Sequence, residues 1–295
     1  MLQEAVDEYI AVLAARKYAG GSNRNTTTAY QNDLYQLCSY LTSQGVKDWQ
    51  AVSHEDIEAY LCEMRDGLAY RPTTIARKIA ALKSFFRYML ATHKELTGNP
   101  MEKLEAPRVQ KDPPHVLSVE QVNSLFNVVR TDTPGGIRDL AMLHMLYATG
   151  MRASELVSLT LADFDAVHAT VLCPGRNGQT KRERVLPLRV VAVEAIQRYL
   201  EEARPRLVRR EGEQALFLNH HGEHLTRQGF WLIIKGYARE VSITAITPHM
   251  LRHSFAILML NEGMELRSVQ ELLGHAHIST TQVYSQLVCA QQPDR

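Results

Sequence analysis

The stretch that most restricts how this chain can fold is a break near its first third. Asn99-Pro100 is followed by Pro107-Arg108-Val109-Gln110-Lys111-Asp112-Pro113-Pro114, rich in proline and charge. Proline lacks an amide donor and has a fixed φ, so such a run suits neither a helix interior nor a central strand. It reads as an extended linker. The 295-residue chain is therefore expected to form two domains, 1–107 and 108–295, each able to bury a core.

The first domain has a helical period throughout. Leu2, Val6, Tyr9, Ile10 and Leu13 share one face, and Gly20-Gly21-Ser22 breaks that helix. Asn25 or Thr26 is the expected cap of a second helix, carrying Tyr30, Leu34, Leu37 and Leu41 and ending near Gly45. Ser53 and Asp56 resemble a capping box for a third, to about Arg65. A fourth is expected from Pro72 to Thr92, with Ile75, Ile79, Leu82, Phe86 and Met89 inward. Arg65, Arg71, Arg77, Lys78, Lys83, Arg87 and Lys94 stand against one acid, Asp66. Such a cluster is an electrostatic footprint for DNA phosphates, the bland alternative being a solvated helix face.

The second domain mixes periods. Ser118 and Gln121 suggest a capping box for a helix to about Val129. Gly135-Gly136 precedes a helix expected over Ile137–Ala148 and stopped by Gly150. Arg152 then stands at the mouth of the next helix, where backbone amides favour anions; it could instead merely pair with Glu155. Thr170–Cys173 and Arg184–Leu188 read as a hairpin around Asn177-Gly178. A helix with Val193, Ile196 and Leu200 should end before Pro205, and Leu216-Phe217-Leu218 is a short strand or buried link. Thr226 should cap a helix carrying Phe230, Trp231, Ile234 and Tyr237. Met142, Met145 and Met151 read as core filling. The fold class is mainly α with a small β-hairpin, an α+β arrangement.

Composition narrows the class. Apolar content of 45% and charged content of 22% are those of a globular protein. No apolar run approaches the ~20 residues of a membrane span. Glu4, Asp7 and Glu8 are unlike a signal peptide. Cys38, Cys62, Cys173 and Cys289 lack metal spacing, so reduced thiols in a cytoplasmic compartment are expected. His220, His221 and His224 read as a polar loop rather than a metal site. A net charge of +1 argues mildly against nucleic acid unless basic charge is local.

The C-terminal stretch carries the chemistry. Thr247 is an expected N-cap with Pro248 at the first helical position, and Gly263 should stop that helix. His249 and Arg252, three apart, share a face. A second helix is expected from about Glu265 to Leu273, ended by Gly274, with His275 in the following turn. Ser279 is the expected cap of a third, carrying Tyr284. A guanidinium binds two phosphate oxygens, an imidazole donates to phosphate or moves a proton, and a phenol can be a covalent nucleophile. With a reference pKa of ~10, that phenol needs cationic or basic neighbours. Taken singly, His-x-x-Arg is a solvated helix face and Tyr284 half-buried packing; order and spacing speak for a metal-free phosphodiester site.

Pro248-His249-Met250-Leu251-Arg252-His253-Ser254-Phe255-Ala256, with Leu272-Leu273-Gly274-His275 and the Tyr284 that follows Ser279-Thr280-Thr281, resembles the tyrosine recombinase (phage integrase) family, nearest its Xer-type branch. Thr26–Leu34 resembles a segment of that family's core-binding domain, and Thr149–Leu156 its first arginine motif. Thr226-Arg227-Gln228 followed by Phe230-Trp231 resembles Xer-type catalytic domains. The likeness spans nearly the whole chain. It implies a C-shaped clamp on double-stranded DNA, with a helical, SAM-like core-binding domain and a catalytic domain. It assigns Arg152, His249, Arg252 and His275 to the scissile phosphate, Glu155 to support of Arg152, and Tyr284 to attack, giving a 3′-phosphotyrosine. That bond keeps the phosphodiester energy, so neither cofactor nor metal is required. A hairpin lysine in the family protonates the leaving 5′ oxygen. Here the common Gly-Lys-Gly form is missing; Lys181 is the expected acid, with Arg176 a rival and DNA contact. An arginine is a poor proton donor.

The family pattern implies four protomers on two duplexes, or a paired homologous recombinase. In the Xer branch a C-terminal helix docks on a neighbour, a role for which Ser285–Ala290 offers a short segment; no additional N-terminal arm-binding domain is expected. The competing readings are a type IB topoisomerase and a non-catalytic DNA-binding regulator on the same fold.

Overall fold

The computed structural model describes residues 2–15, 24–92, 96, 98–105, 107, 113–174 and 183–291. It divides into two compact units, Met1–Lys111 and Asp112–Arg295, the division falling inside the proline-rich run.

The first unit holds α1 (Leu2–Ala15), α2 (Arg24–Ser43), α3 (His54–Cys62) and α4 (Pro72–Thr92). The second helix opens at Arg24, ahead of both expected caps. The capping box of α3 forms as expected: Ser53 Oγ accepts from the Asp56 amide, and the Asp56 carboxylate accepts from the Ser53 amide at 2.9 Å. That helix ends at Cys62, short of Arg65, and a wider turn follows over Glu63–Gly67. Leu34, Leu37, Leu41, Ile57, Leu82, Phe85 and Phe86 are fully buried. The Trp49 indole packs on Phe85 and Phe86 and donates to the Leu2 carbonyl at 3.0 Å, tying α1 to the core.

One expected surface cation is not on the surface. Lys78 is buried at 2% exposure; its ammonium donates to Asp33 Oδ1 at 2.9 Å and to Gln36 Oε1. Arg77 also donates to Asp33. Lys78 follows the inward stripe of α4 between Ile75, Ile79 and Leu82, so helix phase overrules charge, and Asp33 offsets the cost of burial. Arg71, Arg77 and Arg87 remain exposed and Lys83 half-buried.

The second unit is built on α6 (Pro134–Thr149), whose Ala141, Met142, Leu143, Met145 and Leu146 are fully buried. It follows α5 (Val119–Asn127), opened by the Ser118–Gln121 capping box. Helix α6 starts earlier than the glycines suggested. Thr133 caps it, Pro134 takes the first turn, and Gly135 and Gly136 lie inside. Glycine is needed at 136 because a Cβ there would stand 1.7 Å from the Arg130 carbonyl oxygen. Gly150 ends the helix with a left-handed φ of 60°.

After α7 (Ala153–Val157) the expected hairpin is an antiparallel sheet of three strands, β1 (Phe164–Asp165), β2 (Thr170–Cys173) and β3 (Arg184–Pro187), in that order. The first strand has only two residues, too short for a period to register. Val171 pairs with Leu186 and Cys173 with Arg184. Residues 175–182, the hairpin tip with Arg176 and Lys181, lie outside the described residues. Helix α8 (Val190–Arg198) ends before Pro205, as expected, though not in a loop. A wide turn over Tyr199–Ala203 carries it into α9 (Arg204–Leu207), where Pro205 sits in the first turn and loses no helical bond. Leu216–Leu218 is a buried link, flanked by isolated bridges at Ala215 and Leu218. Helix α10 (Arg227–Glu240) is capped by Thr226.

Three helices close the chain: α11 (Pro248–Asn261), α12 (Leu266–Leu273) and α13 (Ser279–Gln291). Thr247 caps α11 as expected, its side chain accepting from the Met250 amide. Ser279 is the first helical residue rather than a cap, and Ser285–Ala290 continues the helix of Tyr284 instead of forming a separate one. Phe255, Val269, Leu273 and Tyr284 form a small core of their own among these helices.

Candidate active site

Five elements of the second unit bring the site together. Arg152 occupies the N-cap of α7, and its backbone amide and its Nη1 reach opposite oxygens of Glu155, each at 2.8 Å. A second cation holds the same carboxylate: Arg184 of β3 donates Nη2 to Glu155 Oε2 at 3.0 Å. Burial alone would raise the pKa of Glu155, but Arg184 and Arg152 together bring it down to about 2. Glu155 is thus a fixed anion at 5% exposure that sets the direction of two guanidiniums.

Both central arginines are anchored on the ends of helices. Arg252 donates Nη1 to the Gly150 carbonyl and Nη2 to the Leu273 carbonyl, each at 2.6 Å. Arg152 Nη2 reaches the Gly274 carbonyl at 3.3 Å. Gly150 and Gly274 are the C-caps of α6 and α12, where carbonyls lack amide partners and the helix dipole is negative. Both glycines are left-handed and crowded. A Cβ at Gly150 would meet the Phe255 ring at 2.2 Å, and one at Gly274 the Arg184 guanidinium at 2.5 Å. Arg252 is 3% exposed. Burial, and then the positive Arg152, lower its pKa to about 10, so it stays charged at neutral pH.

Two imidazoles, of His253 and His275, flank Tyr284, and a third, of His249, lies behind His253. His275 is buried in the turn after α12, with Nδ1 2.9 Å from Thr281 Oγ1. Its ring stacks toward the Tyr284 ring at 6.3 Å between centroids. His253 Nδ1 stands 2.7 Å from the Tyr284 hydroxyl. His249, one turn earlier on α11, stacks toward His253 at 6.3 Å. Burial and the neighbouring positive charge push His253 and His275 down to about 4. His249 is open to solvent on one side. Enough of its ring faces protein that burial, then Arg252, Arg152 and Arg227, still lower its pKa. Near neutral pH the rings are therefore uncharged. Burial raises the pKa of Tyr284, while Arg252 and Arg152 pull it back.

The sequence-derived set of Arg152, His249, Arg252, His275 and Tyr284 thus converges, with Glu155 at its base. Lys181 and Arg176 fall outside the described residues. Three participants had no role in the sequence reading: His253, Arg184 and Thr281. His253 follows His249 by four, the spacing of helix neighbours, and that signal was present. Arg184 stands opposite buried Cys173 in the register, so a charged residue on an inward strand position was the cue. Nothing in the local pattern distinguished Thr281 from Thr280.

Residues 115–289 match the phage integrase family, and residues 6–93 match the phage integrase N-terminal SAM-like domain. A tyrosine recombinase XerC of Roseiflexus sp. (strain RS-1) is 47% identical over 266 residues, covering 89% of this chain and 83% of that protein. A tyrosine recombinase XerD of Listeria innocua serovar 6a is 43% identical over 288 residues, covering 96% and 94%. Among solved structures, the XerH site-specific recombinase bound to palindromic difH in a post-cleavage complex superposes with a TM-score of 0.75 at 21% identity, covering 90% of this chain and 77% of that one. A lambda integrase dimer bound to a COC′ core site gives 0.71 at 17% identity, covering 95% and 96%. A helical unit followed by this arginine, histidine and tyrosine cluster defines a site-specific tyrosine recombinase. The chain belongs to the phage integrase family, and its relatives are of the Xer type.

Proposed function

We propose that Tyr284 attacks a scissile phosphate in double-stranded DNA to give a 3′-phosphotyrosine and a free 5′-hydroxyl. Arg152 and Arg252 bind the phosphate oxygens, His249 and His275 donate to them, and Glu155 aims Arg152. Charge develops on those oxygens as the phosphorus gains its fifth ligand, and preorganised donors stabilise it. Lys181, on the hairpin, protonates the leaving 5′ oxygen. The transesterification is isoenergetic in kind, so neither nucleotide nor metal enters. The carrying observation is that Tyr284 lies within the electrostatic reach of both Arg252 and Arg152 while its hydroxyl is held by an imidazole.

In this reading residues 1–107 form the core-binding domain and 108–295 the catalytic domain. Arg71, Arg77, Lys83 and Arg87, together with Arg176, contact DNA phosphates. Lys78 is left out because its ammonium is buried on Asp33. Two duplexes and four protomers, or a paired homologous recombinase, complete the exchange in the cytoplasm. The test is covalent trapping on a nicked duplex carrying a bound site. Wild type should give a denaturant-resistant adduct on the 3′ phosphate of the cut strand, trapped by loss of the short 5′-hydroxyl piece running to the nick, and Tyr284→Phe none. An adduct that survives Tyr284→Phe refutes the assignment. Absence of any wild-type adduct would favour a non-catalytic regulator, and relaxation of one duplex without exchange a topoisomerase.

A further inference from the structure

We propose that His253 takes the proton of Tyr284 as the tyrosine attacks and returns it as the tyrosine leaves. This rests on Tyr284 being the nucleophile. A phenol of ordinary pKa ~10 is ionised in about one molecule per thousand at pH 7. Attack on phosphorus therefore needs a base within hydrogen-bond reach, and such a base contributes typically 10²–10⁴-fold.

Three imidazoles are near, and the geometry separates them. His275 uses Nδ1 on Thr281, 2.9 Å away, and meets Tyr284 ring to ring, with 23° between the planes. A stacked ring offers no lone pair to the phenol. The His249 ring is in contact range of His253 rather than of Tyr284. His253 alone of the three places a ring nitrogen, Nδ1, 2.7 Å from the Tyr284 oxygen, with the rings inclined at 46°. Arg252, next on the same helix, turns away to the carbonyls of Gly150 and Leu273. Adjacent residues of one helix turn thus split the work between phosphate and nucleophile.

For Nδ1 to accept, the ring must be neutral with its proton on Nε2. The groups facing it favour that state: His249 and Arg252 from α11, with Tyr284 from α13 and His275 from the turn before α13 beside the ring. A bound phosphodiester would add negative charge beside the ring and make the imidazolium easier to form at the moment of attack. The balance is complete. The Tyr284 oxygen bonds to phosphorus, its proton moves to His253 Nδ1, and the bond from phosphorus to the 5′ oxygen breaks. The departing oxygen takes a proton from the hairpin acid. Rejoining reverses each transfer, and His253 gives the proton back to the phenolate.

Single-turnover adduct formation on a nicked duplex, followed from pH 6 to 9.5, tests this. His253→Asn keeps an acceptor oxygen near the Nδ1 position but cannot take a proton. Wild type should be nearly flat above pH 6.5. His253→Asn should be about a hundredfold slower at pH 7 and should gain nearly tenfold per pH unit, with DNA binding by gel shift unchanged. A His253→Asn rate within threefold of wild type at pH 7, or a parallel pH profile, overturns the proposal. In wild-type protein, ¹⁵N-histidine resonances should show His253 protonated at Nε2 and bare at Nδ1, a readout independent of how any variant folds. The opposite tautomer overturns the proposal as well. If Tyr284→Phe still forms an adduct, the nucleophile assignment falls first and the proton assignment with it.

Discussion

Lys78 in the first unit and Arg252 in the second are buried cations handled in opposite ways; the second unit also buries Arg138, which pairs with Asp139 much as Lys78 does with Asp33. In the first unit Lys78 is 2% exposed and lies against a carboxylate, Asp33, which Arg77 also engages. In the second, Arg252 is 3% exposed and its guanidinium rests on two helix-terminal carbonyls. A carboxylate cancels charge; a carbonyl dipole stabilises it and leaves it in place. Lys78 is therefore finished as an electrostatic object, while Arg252 keeps a full charge, as the proposed phosphate contact requires.

Three experiments would break or sharpen that contrast. The largest effect is expected from Arg252→Ala, which should slow covalent adduct formation by about a thousandfold, the cost of losing one preorganised donor to the developing charge. A rate near wild type would place Arg252 with Lys78 as a structural cation. Next comes Lys78→Ala, which strands part of the Asp33 charge and should lower the unfolding free energy of the first unit by about 3–5 kcal/mol in urea. It should leave the salt dependence of DNA binding unchanged; a shallower slope with unaltered stability would return Lys78 to the DNA surface. The smallest effect is that of Glu155→Gln. The ordinary pKa of 4.5 drops to about 2 in the folded protein, so the ionised carboxylate stabilises above pH 4.5 and loses that contribution as pH falls toward 2. The variant should be less stable at pH 7 by at most about 3 kcal/mol, and urea titrations at successively lower pH should show the gap closing. A gap that persists at low pH would mean packing, not charge, joins Glu155 to Arg152 and Arg184.

The same contrast explains what was legible beforehand. Helix faces and caps were readable because each has a local cause: Ser53 with Asp56, Ser118 with Gln121, Thr226 and Thr247 all form the caps their side chains allow. The site was readable where a motif held both partners within a turn, as for Arg152 and Glu155. It failed where the partner lay far along the chain. Lys78 looked like surface because Asp33, which neutralises it, is separated from it by 45 residues. Arg184 looked like an ordinary strand residue because Glu155, its partner, lies 29 residues earlier. The glycines at 135 and 136 misled by composition, since the Thr133 cap and Pro134 together outweigh their low helix propensity.

The way the chain enters its second unit has a mechanical reading. The Leu117 amide donates to Ser254 Oγ at 2.8 Å, and that hydroxyl lies 2.9 Å from the Met250 carbonyl. Ser254 directly follows Arg252 and His253 on α11. A tug on the segment before Leu117 is thus delivered, through one buried hydroxyl, to the turn that carries Arg252 and His253.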